Sequence, residues 1–247
     1  MGDPKNERPE HIPKKVMIMF KTVTSQVKPK AFAWSFSRLK NFETCPRKYQ
    51  QVDVLKAYGE NTEQLDWGNA VHKALAENLS KGTPLPVGME DYKSWRDNIV
   101  TEPQDYKLLV EQQLAITIDF KPTKYFANDV WFRAVVDVAK IRGRIALCVD
   151  WKTGKIIDDS VQLALTAQCI FAHHPEVEYV RSEYVWLKED ATTGAVLKRS
   201  DMMGLWSVLL PRVNQLKHAT DTGQYPPKPS GLCRKYCPVT SCEHNGR

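Results

Sequence analysis

Apolar positions along this chain change their spacing several times, and each change marks an element. His72, Leu75, Ala76 and Leu79 recur at i, i+3, i+4 and i+7, which predicts a helix over residues 65–79. From Leu114 the spacing becomes alternation, with Ile116, Ile118 and Phe120 on one face of a strand. Two further apolar runs, 132–140 and 144–151, are separated by Ile-Arg-Gly-Arg, which reads as a hairpin. A helix is expected at about 160–172, started by Asp158, Asp159 or Ser160 and stopped before Pro175. Residues 177–187 form a β-rich run, and a long helical stretch at about 199–218 carries Pro211, where a kink or break is expected. Nearer the front, Ser37 is a candidate N-cap for a short helix burying Leu39 and Phe42, and Pro46 suits the first turn of the next.

The pattern divides the chain into a basic, flexible arm over residues 1–30 and a single domain over 31–247. The arm has one short apolar stretch, 16–20, that suits an edge strand. Within the domain, 31–108 is a helical portion, 109–190 holds the central strands and a helix, and 191–247 is a C-terminal helix followed by cysteines. A chain of 247 residues with 42% hydrophobic content buries a sizeable core. No apolar run approaches the ~20 residues needed to span a membrane. The charged, Pro-containing N-terminus lacks the apolar centre of a secretory signal, so a cytoplasmic setting is expected, that of a phage protein in its host included.

In that setting thiols stay reduced, and clustered cysteines bind metal more often than they pair. Of six cysteines, Cys148 and Cys169 sit in apolar runs and read as core. The other four lie at the ends of the domain: Cys45 in Thr-Cys-Pro-Arg-Lys-Tyr, and Cys233, Cys237 and Cys242 in Cys-Arg-Lys-Tyr-Cys-Pro-Val-Thr-Ser-Cys. Three thiols this close suit one metal or cluster, and a centre bound by thiolates commonly takes four ligands. Zinc bound by thiolates, with His244 available nearby, is one occupant; an iron–sulfur cluster is the other.

The hairpin carries the chemistry. Asp137 ends Arg-Ala-Val-Val-Asp, and Asp150 and Lys152 stand in Cys-Val-Asp-Trp-Lys-Thr-Gly. A turn centred near Gly143 places Asp137 and Asp150 roughly opposite each other, and strand alternation puts Asp150 and Lys152 on one side with Val149 and Trp151 on the other. Two adjacent carboxylates are costly to bury unless a cation neutralises them. A hard divalent ion such as Mg2+ does so while keeping waters for chemistry. An isolated Asp-x-Lys is otherwise an ordinary salt bridge on a solvated sheet face.

Five segments in order extend this constellation: Ser35-Phe-Ser-Arg-Leu with Cys45-Pro-Arg-Lys-Tyr49, Gly68-Asn-Ala-Val-His72, the strand ending at Asp137, Asp150-Trp-Lys-Thr-Gly, and Gln162-Leu163. In these the sequence resembles the PD-(D/E)xK nucleases, specifically the RecB-type branch that includes RecB-like CRISPR-associated exonucleases and phage or recombination exonucleases. The resemblance implies an α/β fold of restriction-endonuclease type: a mixed β-sheet flanked by helices, with an N-terminal helical portion and the cysteine cluster packed against it. It implies Asp137 and Asp150 as ligands of Mg2+ or Mn2+, joined by His72 and the backbone carbonyl of Trp151. Lys152 would be the catalytic lysine and Gln162 would help hold the site; Glu111 matches an acidic position often seen on the first strand. It also implies a 4Fe–4S cluster on Cys45, Cys233, Cys237 and Cys242. The chain departs from the family in having Ala134 where glycine is usual and Thr166 where tyrosine is usual. Its last three cysteines are spaced Cys-x3-Cys-x4-Cys in place of Cys-x2-Cys-x5-Cys.

A net charge of +6 is compatible with a phosphate-rich partner. Arg38, Arg47 and Lys48 surround Cys45, and Arg234 and Lys235 follow Cys233; joined by the cluster they would form a DNA-binding patch, with Tyr49, Tyr236 or Trp34 stacking on bases. The expected activity is metal-dependent hydrolysis of DNA at ends or in single strands, an exonuclease rather than an endonuclease, in recombination, repair or phage DNA processing. Two alternatives stand beside it: a non-catalytic iron–sulfur or zinc DNA-binding module, and a nuclease subunit active only with a helicase, recombinase or single-strand annealing partner.

Overall fold

The hairpin read from the apolar runs forms the centre of the sheet. The structure is a computed structural model that describes residues 32–59, 62–101, 105–157 and 159–247. The expected arm over 1–30, with its stretch 16–20, lies outside the described residues, as does Asp158. Strands β1 (Lys107–Ile116), β2 (Pro122–Thr123), β3 (Phe132–Arg142), β4 (Ile145–Lys152), β5 (Tyr179–Trp186) and β6 (Ala191–Lys198) make one sheet of order β2-β1-β3-β4-β5-β6. All neighbours are antiparallel except β4 and β5, which run parallel. A parallel pair needs a long crossover. Helix α5 (Ser160–His173) supplies it. The β3–β4 turn pairs Arg142 with Ile145, so Gly143 and Arg144 form a two-residue loop, and Gly143 takes the left-handed conformation (φ 54°) that tight hairpins favour.

Helices cover both faces, so the central strands read as nearly continuous apolar runs. On one face Ala139, Ile141, Ala146 and Cys148 pack with α5, with α1 (Phe36–Thr44) and with α6 (Met202–Thr222). On the other, Val138, Val149 and Trp151 pack against Val71, Ala74 and Leu75 of α3 (Glu63–Lys81) and Ile99 of α4 (Lys93–Val100). Burying an aromatic or branched side chain of this kind stabilises the fold by about 1.5–3 kcal/mol. This mixed sheet flanked by helices is the restriction-endonuclease-like architecture.

Several local expectations change. Ser35, not Ser37, caps α1, its hydroxyl accepting from the Arg38 N–H. Cys45 is the N-cap of α2 (Pro46–Tyr49), with Pro46 in the first turn as expected. Helix α3 is longer than 65–79 because Thr62 caps one end and left-handed Gly82 closes the other. Its buried stripe runs through Val71, Ala74 and Leu75, which leaves His72 half-exposed at the margin of the packed face. Strand β1 begins seven residues before Leu114 and ends at Ile116; Ile118 is exposed and Phe120 adopts φ 60° in the following turn. Helix α6 continues through Pro211, because Trp206, Leu209, Val213 and Leu216 are buried on either side and that packing outweighs the ~3 kcal/mol cost of an internal proline. Strand β6 has no apolar alternation to announce it. Its Gly194 lies so close to β5 that a Cβ there would clash with the Ser182 carbonyl oxygen.

Arg199 ties α5 to the start of α6. Its guanidinium donates to the carbonyls of Phe171 (2.8 Å) in the last turn of α5 and of His174 (2.8 Å) and Val177 (3.0 and 2.6 Å) just beyond it. Arg199→Ala should destabilise the protein by about 2–4 kcal/mol, as measured by urea unfolding. A loss under about 0.5 kcal/mol would place the stabilisation elsewhere. Among the described residues, no helix is long and apolar enough to cross a membrane.

Candidate active site

The site forms where two central strands part. The β3–β4 ladder ends at the Val138–Val149 pair; beyond it β3 stays with β1, while β4 stays with β5. One step further in the same register stand Asp137 and Asp150, at the opening of the fork. The Asp137 carboxylate takes the place of the interrupted ladder by accepting from the Trp151 N–H at 2.9 Å. Alternation sends Asp150 and Lys152 toward α5, and buries Trp151 on the α3 side.

His72 reaches the fork from α3. Its Nδ1 lies 3.2 Å from an Asp137 oxygen and its Nε2 2.8 Å from the Trp151 carbonyl oxygen. Gly68, one turn earlier, lets the helix approach, since a Cβ there would lie 3.3 Å from Thr153 Oγ1. Gln162 in the first turn of α5 donates to Asp150 at 2.6 Å, and Lys152 Nζ is 2.7 Å from the other Asp150 oxygen. The same ammonium is 3.5 Å from Gln162 Oε1 and sits 4.9 Å from the centre of the Tyr184 ring. Tyr184 donates to the Asp159 carbonyl at 2.7 Å, fixing the platform on which Lys152 rests.

Glu111 completes the cluster. It lies opposite Asp137 between the Val110–Val138 and Gln112–Val136 pairs, with the ladder interrupted at that point and φ at 48°. A left-handed glutamate costs about 1–3 kcal/mol and survives only where surrounding structure imposes it. Ligand atoms of His72, Glu111 and Asp137 all lie within 4.8 Å of one another, a donor set of one imidazole and two carboxylates that suits a divalent cation. Asp150 stands beside this trio, held by Lys152 and Gln162. A cleft of about 580 Å3 opens along α3 over His72 and Glu111.

The electrostatics are those of a site waiting for positive charge. Burial, then the nearby Asp137 charge, push Asp150 up from 3.8 to about 6, against the opposing pull of Lys152. Glu111 is raised by burial and by Asp137. Burial pulls His72 down, but its hydrogen bond to Asp137 and that group's charge more than offset this, so it is raised. Both ring nitrogens face acceptors, so both contacts are hydrogen bonds only in the imidazolium. Protons at Asp150 and His72 therefore stabilise the metal-free fold at low pH, and that contribution fades as pH rises through about 6 for Asp150 and through the raised His72 value. A cation must displace the same protons. Saturating Mn2+ should raise the melting temperature by about 5–10 °C at pH 8 and much less at pH 5. Equal shifts at the two pH values would contradict this linkage.

At the other end of the α1 face, Cys45, Cys233, Cys237 and Cys242 line one cavity with Val239 and His244. The Lys228 and Ser230 N–H groups point at the Cys45 and Cys233 sulfurs, each at 3.4 Å. The surrounding frame joins the two ends of the domain: Arg212 makes a two-pronged pair with Glu43 (2.6 and 2.8 Å), and Lys228 Nζ donates to the Glu43 carbonyl at 2.7 Å. Among the described residues, no three of these sulfurs lie within 4.8 Å of one another. Cys148 and Cys169 are buried in the core, as expected, and burial pushes the Cys148 thiol up to about 12.

The basic residues divide. Arg234 and Lys235 are exposed beside the cysteines. Arg38 packs its guanidinium 5.6 Å from the centre of the Tyr49 ring, and Arg47 donates to the Tyr225 carbonyl at 3.2 Å, so both are engaged within the fold. Lys48 is half-buried and lines the cysteine cavity with Arg47. The expectation that Trp34 and Tyr49 stack on bases is corrected: they are 1% and 3% exposed and belong to the core, whereas Tyr236 is 72% exposed.

The model of the PD-(D/E)XK nuclease superfamily matches residues 33–242, and the chain belongs to that family. Nuclease activity on DNA follows from membership, as does the typical use of Mg2+ or Mn2+ by such enzymes, for which the acidic fork provides a candidate site. No curated protein matches the chain. Similar solved structures include SSO0001, at 15% identity over 90% of each chain with a TM-score of 0.47. A candidate exonuclease from Eubacterium rectale is 11% identical over 89% of this chain and 92% of its own, also with a TM-score of 0.47.

Proposed function

We propose that this protein is a metal-dependent DNA exonuclease of the RecB-type branch, in which His72, Glu111, Asp137 and Asp150 hold Mg2+ or Mn2+ and Lys152 acts on the reacting phosphate. The observation that carries the reading is the fork itself, where helix α3, strands β1, β3 and β4 and helix α5 each contribute to a single polar cluster. A divalent cation there supplies Lewis-acid activation of water and neutralises charge on the phosphate. Lys152, held by Asp150 and the Tyr184 platform, presents its ammonium to a phosphate oxygen. Gln162 holds the second Asp150 oxygen and so fixes which lone pairs remain for the cation. The Trp151 carbonyl, beside His72, would offer the cation a neutral oxygen donor.

We assign a 4Fe–4S cluster to Cys45, Cys233, Cys237 and Cys242. Support comes from the convergence of four sulfurs on one cavity, from backbone N–H groups aimed at two of them, and from their order along the chain, one before the sheet and three after it. Tetrahedral zinc on four thiolates is the alternative occupant. The cluster's role is to hold the C-terminal segment against α1 and α2, with Arg234 and Lys235 available to DNA.

An exonuclease and an endonuclease separate cleanly on topology. Given Mn2+, the protein should degrade linear DNA and leave covalently closed circles of the same sequence intact. Conversion of circles to linear product at a comparable rate would make it an endonuclease.

A further inference from the structure

A second groove, of about 280 Å3, is lined by Gln162, the same residue that donates to Asp150, and contains a cation with no carboxylate beside it. Its walls include Ser35, Ser37, Tyr125, Arg133, Gln162 and Thr166, with no carboxylate among its lining residues. Arg133 Nε and Nη2 are shielded from solvent and have no hydrogen-bond partner among the described residues. The guanidinium lies 5.3 Å from the centre of the Tyr125 ring and 5.7 Å from that of Phe126, which offsets only part of the cost of leaving water. Shielded, unpaired guanidinium nitrogens are costly unless an acceptor arrives. Nothing in the catalytic fork needs Arg133, because none of the fork's hydrogen bonds or ion pairs involves it.

The groove is placed to meet the substrate strand. Arg133 and Asp137 lie four residues apart on β3, about 13 Å along the strand, with exposed Val135 between them. The hydroxyls of Ser35 and Ser37 stand 3.1 Å apart at the start of α1, adding donors and the positive end of a helix. Gln162 belongs to both places, bonded to Asp150 in the fork and lining the groove.

We infer that this groove is a subsite for the terminal phosphate of a DNA strand, with Arg133 as its principal ligand. An internal phosphodiester carries one charge and is flanked by sugars on both sides, so it cannot enter a walled groove deeply. A terminal phosphomonoester carries about −1.5 to −2 charge and presents three free oxygens, which suits a guanidinium and two hydroxyls. The inference rests on the nuclease reading above and adds to it a preference for phosphorylated ends.

The test is equilibrium binding of labelled oligonucleotides to the full chain without added divalent cation, so that cleavage plays no part. Three strands of one sequence are compared, bearing a 5′-phosphate, a 3′-phosphate or hydroxyls at both ends. Wild type should bind one phosphorylated strand about tenfold to a hundredfold more tightly than the hydroxyl strand. Arg133→Gln should abolish the difference, and Arg133→Lys, which keeps the charge but not the fork of donors, should retain part of it. Circular dichroism and melting of both variants establish that they fold. Equal affinities in wild type, or a preference that survives Arg133→Gln, would overturn the subsite. A preference seen in a protein that cleaves no DNA would keep the subsite and refute the nuclease reading instead.

Discussion

Lys152→Ala should lower DNA hydrolysis by about 10²–10⁴-fold while leaving Mn2+ affinity within a few-fold of wild type. The split follows from geometry. Lys152 touches Asp150 at 2.7 Å but stands outside the trio of His72, Glu111 and Asp137, so its removal spares most cation donors. The Tyr184 platform is buried and bonded to the Asp159 carbonyl independently of the lysine, so the variant should fold. Loss of the ammonium frees one Asp150 oxygen and deletes the positive charge that opposes the rise in its pKa. Cleavage by the variant should therefore need a higher pH as well as being slower. Single-turnover rates at saturating Mn2+ read the first effect, and calorimetric titration of the cation reads the second. A variant that cuts at the wild-type rate would remove Lys152 from the mechanism.

Cys45→Ser should destabilise the protein more than either Lys152→Ala or Arg199→Ala. Where a structural metal centre closes a fold, its binding energy is folding energy, and loss of one ligand forfeits several kcal/mol. Cys45 is the N-cap of α2, and its sulfur meets the Lys228 N–H from the far end of the chain, 183 positions away. Apart from such a centre, the contacts that hold the segment after α6 include Arg47 to the Tyr225 carbonyl, Lys228 to the Glu43 carbonyl, and Tyr225 packed near Tyr49. A fall in melting temperature of about 10 °C or more is expected, with loss of bound iron. Cys148→Ser, at a buried thiol remote from the cavity, should keep its iron. Full iron content and an unchanged melting temperature in Cys45→Ser would refute the assignment, and stoichiometric zinc in wild type would replace iron by zinc.

How far the sequence could be read depended on whether the relevant forces were local. Asp137, Asp150 and Lys152 were legible because strand alternation and a hairpin turn are local, whereas Gln162, on the following helix, was reached only through the family resemblance. The helix of His72 was visible in its spacing, although its buried stripe is rotated toward Val71 and Ala74, and that rotation is what leaves the imidazole free to face Asp137. Glu111 was the weaker expectation, because no local pattern announces a left-handed residue in the middle of a strand. Strand β6 was missed since an exposed edge strand needs no apolar alternation. Trp34 and Tyr49 looked available to DNA because their partners are remote: Tyr49 packs near Tyr225, and Trp34 packs against Trp131 and Phe132. Arg133 drew no notice as part of an apolar run, and its lack of a counter-charge emerges only once β3, α1 and α5 enclose it.

The most direct measurement is the fate of end-labelled linear DNA with metal-stripped protein, before and after Mn2+ is restored, for wild type and Asp137→Asn. Asp137 is the hub, accepting from Trp151 and lying against His72 in the trio that would hold the cation. The account predicts no cleavage without the cation, rapid loss of label from wild type when it is added, and no cleavage by Asp137→Asn at any Mn2+ concentration that wild type needs. Intact DNA with cation-loaded wild type, or wild-type cleavage by Asp137→Asn, would contradict it.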